Sequence, residues 1–248
     1  MSHDCCQKAK ASLLPKRVLE VCGLAVYLRE NSPPEKVDYY AALSHCWGPE
    51  GPAIRLTHDT IERLRIGHAI SELPKTFRDA VIVCQNLGIP YLWIDALCKF
   101  APMRHNHHRT GTDHSGILQD DKADWKEAAG TMADIYQNAY ITLAASSSKD
   151  SNGGLFASTQ AISKRLTNHQ QHYVIQRIRF PSTYPDTWTD EVVKNWPLFP
   201  RAWAYQERKV SPRIVYFASH QVYWECNSRL LSEDREYTEV YTKGIESE

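Results

Sequence analysis

Continuous apolar runs alternate with helical periodicity through the middle of this chain. Tyr39 to Leu43 is apolar without alternation and ends in Ser44-His45-Cys46-Trp47-Gly48, as expected of a strand covered on both faces. Leu73-Pro74 then opens a helix whose Phe77, Ala80, Val81, Cys84 and Leu87 fall at helical spacing until Gly88 stops it. Tyr91 to Ile94 is a second continuous run and terminates in Asp95. A second helix is expected from about Asp121 to Asn138, with Trp125, Ala129, Met132, Ala133 and Tyr136 on one stripe, followed by a third buried strand from Tyr140 to Ala145. Strand, helix, strand, helix, strand predicts an α/β fold with a mostly parallel sheet flanked by helices.

The flanks read differently. Arg17 to Val21 and Leu24 to Arg29 surround a Cys22-Gly23 turn and predict an N-terminal hairpin, preceded by a flexible N-terminus over 1–16. Beyond the polar loop after Ser146, the chain predicts a strand at Tyr173 to Phe180 and a short helix near Arg201 to Arg208. A hairpin of Arg213 to Phe217 with Gln221 to Cys226 follows, turning at Ala218 to His220, and a polar tail over 227–248. One segment breaks the pattern: Lys99 to Gly116 has no periodicity and carries His105, His107, His108 and His114, where α/β connections usually take about 2 to 6 residues. Those histidines are a poor metal site, because ligation needs a fixed geometry that a patternless loop does not supply. No metal is expected.

Composition removes whole classes of function. Lys+Arg and Asp+Glu are both 29 in 248 residues, so no uniform basic field is available for nucleic acid or an anionic membrane surface. The longest apolar stretch, Val21 to Leu28, is far short of the roughly 20 residues of a membrane helix. Seven cysteines without a CxxC pair, and no N-x-S/T sequon, suit reduced thiols in the cytoplasm. Dinucleotide, Walker, HExxH and GxSxG signatures are absent.

Several blocks in order carry a resemblance. Tyr40 to Gly48, Leu73 to Ala80 and Leu87 to Cys98, continued by Gln119-Asp120-Asp121, Asp124-Trp125, Ile135-Tyr136, Gly154-Leu155-Phe156, Arg201-Ala202-Trp203, Gln206-Glu207-Arg208 and Tyr223 to Cys226, closely resemble the fungal heterokaryon incompatibility (HET) domain. The resemblance spans Arg17 to about Cys226, one module. Removing Lys99 to Gly116 restores Leu-Cys-Ile-Leu-Gln-Asp-Asp, which looks like the family pattern, so the segment reads as an insert and fits a translated intron.

The resemblance implies self/non-self recognition and programmed cell death in fungi, a form of innate immunity exerted through protein partners or self-assembly. It also implies a distant similarity to Toll/interleukin-1 receptor domains, flavodoxin-like modules of which some cleave NAD. Two alternatives stay open beside the effector: an NAD glycohydrolase, and an inactive fragment of a larger protein. No cofactor is implied, with NAD as a possible substrate.

Ligands of open parallel sheets bind beyond the carboxyl ends of the strands. If the strands ending at Ser44 and at Asp95 are neighbours, Ser44, His45, Trp47, Gly48 and Cys98 form a crevice with Asp95, and a carboxylate there would stabilise an oxocarbenium-like ribosyl centre. Glu127 is the other carboxylate near these motifs, but it falls about 200° around its helix from Trp125 and so faces away from the apolar stripe. The same residues have structural readings: Asp95 as a cap, Trp47 and Trp93 as core aromatics, His45 as a satisfied buried histidine, Cys46 and Cys98 as small buried hydrophobes. Arg201 and Glu207, six apart, are not a same-face helical pair.

Overall fold

The computed structural model describes residues 12–31, 36–37, 39–99, 130–156, 195–219, 221–235 and 238–240. Within them the strands are β1 (Ser12–Leu13), β2 (Arg17–Cys22), β3 (Ala25–Glu30), β4 (Lys36–Val37), β5 (Ala41–Ser44), β6 (His68–Ala69), β7 (Tyr91–Ile94), β8 (Ile141–Ala144), β9 (Arg213–Phe217), β10 (Val222–Cys226), β11 (Arg229–Ser232) and β12 (Thr238–Val240). The helices are α1 (Ile61–Ile66), α2 (Lys75–Leu87), the single turn α3 (Asp95–Cys98), α4 over 130–138 and α5 (Ala202–Val210).

All strands but β1 and β4 form one sheet, ordered β12-β11-β10-β9-β8-β5-β7-β2-β3-β6. The fold is α/β, but the sheet is mixed. Only β7, β5, β8 and β9 run parallel, and every other pairing is antiparallel. This corrects the expected mostly parallel sheet. The reason is turn length: hairpins with short turns can only pair antiparallel, and β2–β3 and β9–β10–β11 extend both ends of the parallel core.

The parallel strands are short, mostly apolar runs. β5 and β8 are buried at every position, with Ala41 opposite Leu92 on one side and Ile141 on the other. α2 buries Phe77, Ala80, Val81 and Cys84 and ends where Gly88 takes φ +66°, its N–H on the Gln85 carbonyl and that of Ile89 on Cys84. That left-handed position favours glycine. α4 is pinned to β5 twice: Tyr40 Oη donates to the Ile135 carbonyl at 2.6 Å, and Tyr136 Oη to the Leu43 carbonyl at 3.1 Å. The Trp93 and Tyr136 rings meet edge to face at 5.6 Å.

Two boundaries move. β11 pairs with β10, and Leu230 has no exposed surface, so the segment after Cys226 is part of the sheet and the polar tail is corrected there. The signal is too short to stand out: the buried Leu230 and Ser232 alternate with the half-buried Arg229 and Leu231. At the other end β1 pairs with β4, and Leu14 is buried, so the last part of 1–16 is ordered against the fold. The expected strand at Tyr173 to Phe180, the first part of the second helix, Glu127 and the insert after Lys99 lie outside the described residues. Among the described residues no helix is long and apolar enough to cross a membrane, and Cys22, Cys46, Cys84 and Cys98 are free thiols.

Leu230→Ala tests the sheet extension. Truncating a fully buried leucine costs about 2–5 kcal/mol, so the thermal midpoint is expected to fall by roughly 5–15 °C. An unchanged midpoint would return residues beyond Cys226 to the status of a tail.

Candidate functional site

Chain order along the parallel core makes the site. From β5 the chain goes on to β7 on one side, and from the neighbouring β8 it goes on to β9 on the other, so connections leave the carboxyl ends of β5 and β8 in opposite directions and open a crevice there. In register, Leu43 faces Ile94, which places Ser44 and Asp95 side by side as the strands end. Asp95 begins α3, its Oδ1 accepting from the Ala96 N–H at 2.7 Å, and its Oδ2 accepts from the Trp47 indole N–H at 2.7 Å. The loop after β5 is thus folded back onto the end of β7. Gly48 permits that path. Its φ is +76°, and a Cβ there would lie 2.7 Å from the Asp150 Cβ.

A cavity of about 150 Å³ occupies the crevice, lined by His45, Trp47, Asp95, Lys99, Arg201 and Glu207 among others. His45 is buried, its ring edge to face with Phe77 of α2 at 4.9 Å. Neither ring nitrogen has a hydrogen-bond partner among the described residues, and Nδ1 stands 3.7 Å from Asp95 Oδ1. Burial holds its pKa below the usual histidine value; Asp95 and the Leu43 backbone oppose that, and Arg201 adds to it. The imidazole is therefore neutral near pH 7.

Glu207 enters from α5. Ser44 Oγ donates to its Oε2 at 2.5 Å, and the Tyr136 hydroxyl lies against the same carboxylate. The residue keeps some surface, yet its carboxylate is so enclosed that burial is the largest influence on it. Burial and the Asp95 charge push its pKa up to about 7, against Ser44, Tyr136 and Lys99. Lys99, 7% exposed, rests its ammonium 3.3 Å from Met132 Sδ and 5.8 Å from the centre of the Trp93 ring. Trp203 stands at the rim, 52% exposed.

Ser44, His45, Trp47 and Asp95 converge as expected from the sequence, with Gly48 shaping the loop. Cys98 closes α3, but its thiol is buried and pushed up to about 12, and burial raises that of Cys46 too. Both are packing groups rather than nucleophiles. Lys99, Arg201, Trp203 and Glu207 are the additions. Lys99, expected as the first residue of the insert, is instead the C-cap of the Asp95 turn, its N–H on the Asp95 carbonyl. Helical phase hid the Arg201–Glu207 relation because Arg201 is the extended N-cap of α5, with φ −83° and ψ 126°. A phase argument applies only inside a helix. The polar residues of the Arg201-Ala202-Trp203 and Gln206-Glu207-Arg208 blocks were the available signal.

Residues 40–100 and 104–207 match the family described as heterokaryon incompatibility protein (HET). The chain belongs to that family. Neither a curated protein nor a solved structure matches it. All the residues named in the crevice fall within the matched stretches of the HET family, whereas β2, β3 and β9 to β12 lie outside them.

The raised Glu207 pKa has a sign that can be measured. The folded state binds the proton more tightly than the unfolded chain, so this group's stabilisation is full below about pH 4.5 and is lost as pH rises to about 7. The stability of the wild type relative to Glu207→Gln is expected to fall by about 2–3 kcal/mol between those values, read by urea unfolding at each pH. A difference that stays constant across the range would contradict a buried, neutral Glu207.

Proposed function

We propose that this HET module is a cytoplasmic effector of fungal self/non-self recognition that kills by cleaving the N-glycosidic bond of NAD in the crevice. One observation carries the reading: two carboxylates, Asp95 and Glu207, share a small cavity with the cations Lys99 and Arg201 and the rings of Trp47 and Trp203. The parallel core supports it. In chain order β5, β7, β8, β9 lie as 2-1-3-4, the arrangement of flavodoxin-like sheets, whose ligands bind at this reversal. The free thiols suit the cytoplasm.

Hydrolysis breaks the bond from ribose C1′ to the nicotinamide nitrogen, whose pair of electrons leaves with neutral nicotinamide. The Asp95 carboxylate, held by the Trp47 and Ala96 N–H groups, stabilises the oxocarbenium-like ribosyl centre. Water then attacks C1′ and loses a proton, with Glu207 as acceptor: a carboxylate with its pKa about 7 suits a general base at neutral pH. Arg201 and Lys99 offer positive charge to the diphosphate. A cavity of about 150 Å³ is smaller than the roughly 300–1,000 Å³ of whole-ligand pockets, so it takes the ribosyl end and leaves the rest at the rim near Trp203.

Nicotinamide release from NAD by the purified chain, followed by chromatography under dilute and crowded conditions, tests the reading. Turnover is expected to fall by about 10²-fold or more in Asp95→Asn and Glu207→Gln, and in the wild type to rise with pH through about 7, as Glu207 ionises. In a filamentous fungus, expression of the wild type should arrest growth and that of Asp95→Asn should not. Folded wild type that releases no nicotinamide in either condition would refute the enzyme.

A further inference from the structure

A second cavity, of about 660 Å³, shares no lining residue with the crevice. It lies between α1 and the start of α2. We propose that it binds an organic phosphate, with the phosphate at the positive end of α2 and the apolar body against Ile54 and Leu64.

Charge favours an anion. Among the described residues, Arg63, Lys75 and Arg78 line the cavity against one acid, Glu72. α2 has no acidic residue in its first turn and no side chain capping Pro74, so the positive end of a 13-residue helix is not neutralised from within. The cations are held in place without being exhausted. Arg63 is paired with Glu72, Arg78 Nη1 donates to the Ser71 carbonyl at 3.2 Å, and Lys75 Nζ reaches Asp79 Oδ2 at 3.1 Å and the Gly153 carbonyl at 3.4 Å. A guanidinium has five N–H donors, so both arginines keep donors for phosphate oxygens.

His68 points independently to a ligand. It is 3% exposed and lines this cavity, yet neither ring nitrogen has a hydrogen-bond partner among the described residues. The nearest acid, Glu72 Oε2, stands at 3.9 Å, outside hydrogen-bond reach. A buried polar group left unsatisfied is destabilising and rare; a phosphate oxygen would satisfy it. Size sets the class of ligand. The volume lies in the range of whole small-molecule pockets and exceeds what a bare phosphate fills, and Ile54, Leu64 and Leu73 provide apolar wall.

Calorimetric titration of the full chain with AMP, adenosine and inorganic phosphate decides it. AMP is expected to bind at least about tenfold more tightly than inorganic phosphate, and adenosine to give no saturation. Arg63→Gln and Arg78→Gln, both at the solvent-accessible side of the cavity, should each weaken AMP by about tenfold, the loss of one charge-assisted hydrogen bond, and His68→Gln should weaken it too. Asp95→Asn, in the crevice, should leave AMP affinity unchanged, whatever becomes of NAD cleavage. Equal affinity for AMP and inorganic phosphate, no AMP binding, or loss in Asp95→Asn but not in the arginine variants would overturn the assignment.

Discussion

The crevice depends on one carboxylate. Asp95 stands where β7 ends and takes two N–H donors from different places, the indole of Trp47 and the backbone of Ala96. The first contact folds the loop after β5 over the neighbouring strand end; the second starts the turn that delivers Lys99. Without it, two parallel strands would end side by side with loops free to diverge. With it, His45, Trp47 and Lys99 are presented to one cavity from two strands that adjoin only because the chain crosses over between them.

Glu207 closes the same space from a distance in sequence. It draws α5 against the end of β5 through Ser44, and the cost is a carboxylate enclosed near another acid. Well-packed apolar residues commonly do as well or better in such a place, so stability alone does not account for Ser44, Tyr136 and Glu207 meeting under the strand end. Contrast the start of β5, where Tyr40 donates to the Ile135 carbonyl of α4 and its hydroxyl is spent on the fold. Local departures from that economy are where function is expected.

Much of the scaffold is legible in the sequence because its signals are local. Apolar runs mark β5, β7 and β8, helical spacing marks α2, and Cys22-Gly23 marks the first hairpin. The same locality explains the failures. Whether a hairpin continues a parallel sheet is a matter of which edge it meets, and nothing near Arg17 or Arg213 states that β2 joins β7 or that β9 joins β8. β11 holds four residues in a polar context. In the site, Ser44 to Trp47 and Asp95 are legible since they terminate strands. Arg201 and Glu207 are not, because one is an extended cap and the other a helical residue, and only the docked helix brings both to the cavity.

His45 and Glu207 make the electrostatics of the crevice partly self-compensating. Burial acts on both, disfavouring the charged form of each, but the consequences for stability run in opposite directions with pH. His45 is held below its ordinary pKa of 6.5, so what it contributes is present above that value and is lost as pH falls and the unfolded chain takes up the proton. Glu207 contributes below about 4.5 and loses that contribution as pH rises to about 7. Acidification from about pH 7 therefore weakens the fold through one group while strengthening it through the other. The crevice can thus hold a neutral imidazole and a protonatable carboxylate together near neutral pH, with neither group's titration governing the fold by itself. A neutral imidazole and a carboxylate that is part-protonated near pH 7, beside the cations Lys99 and Arg201, leave the cavity receptive to an anionic ligand.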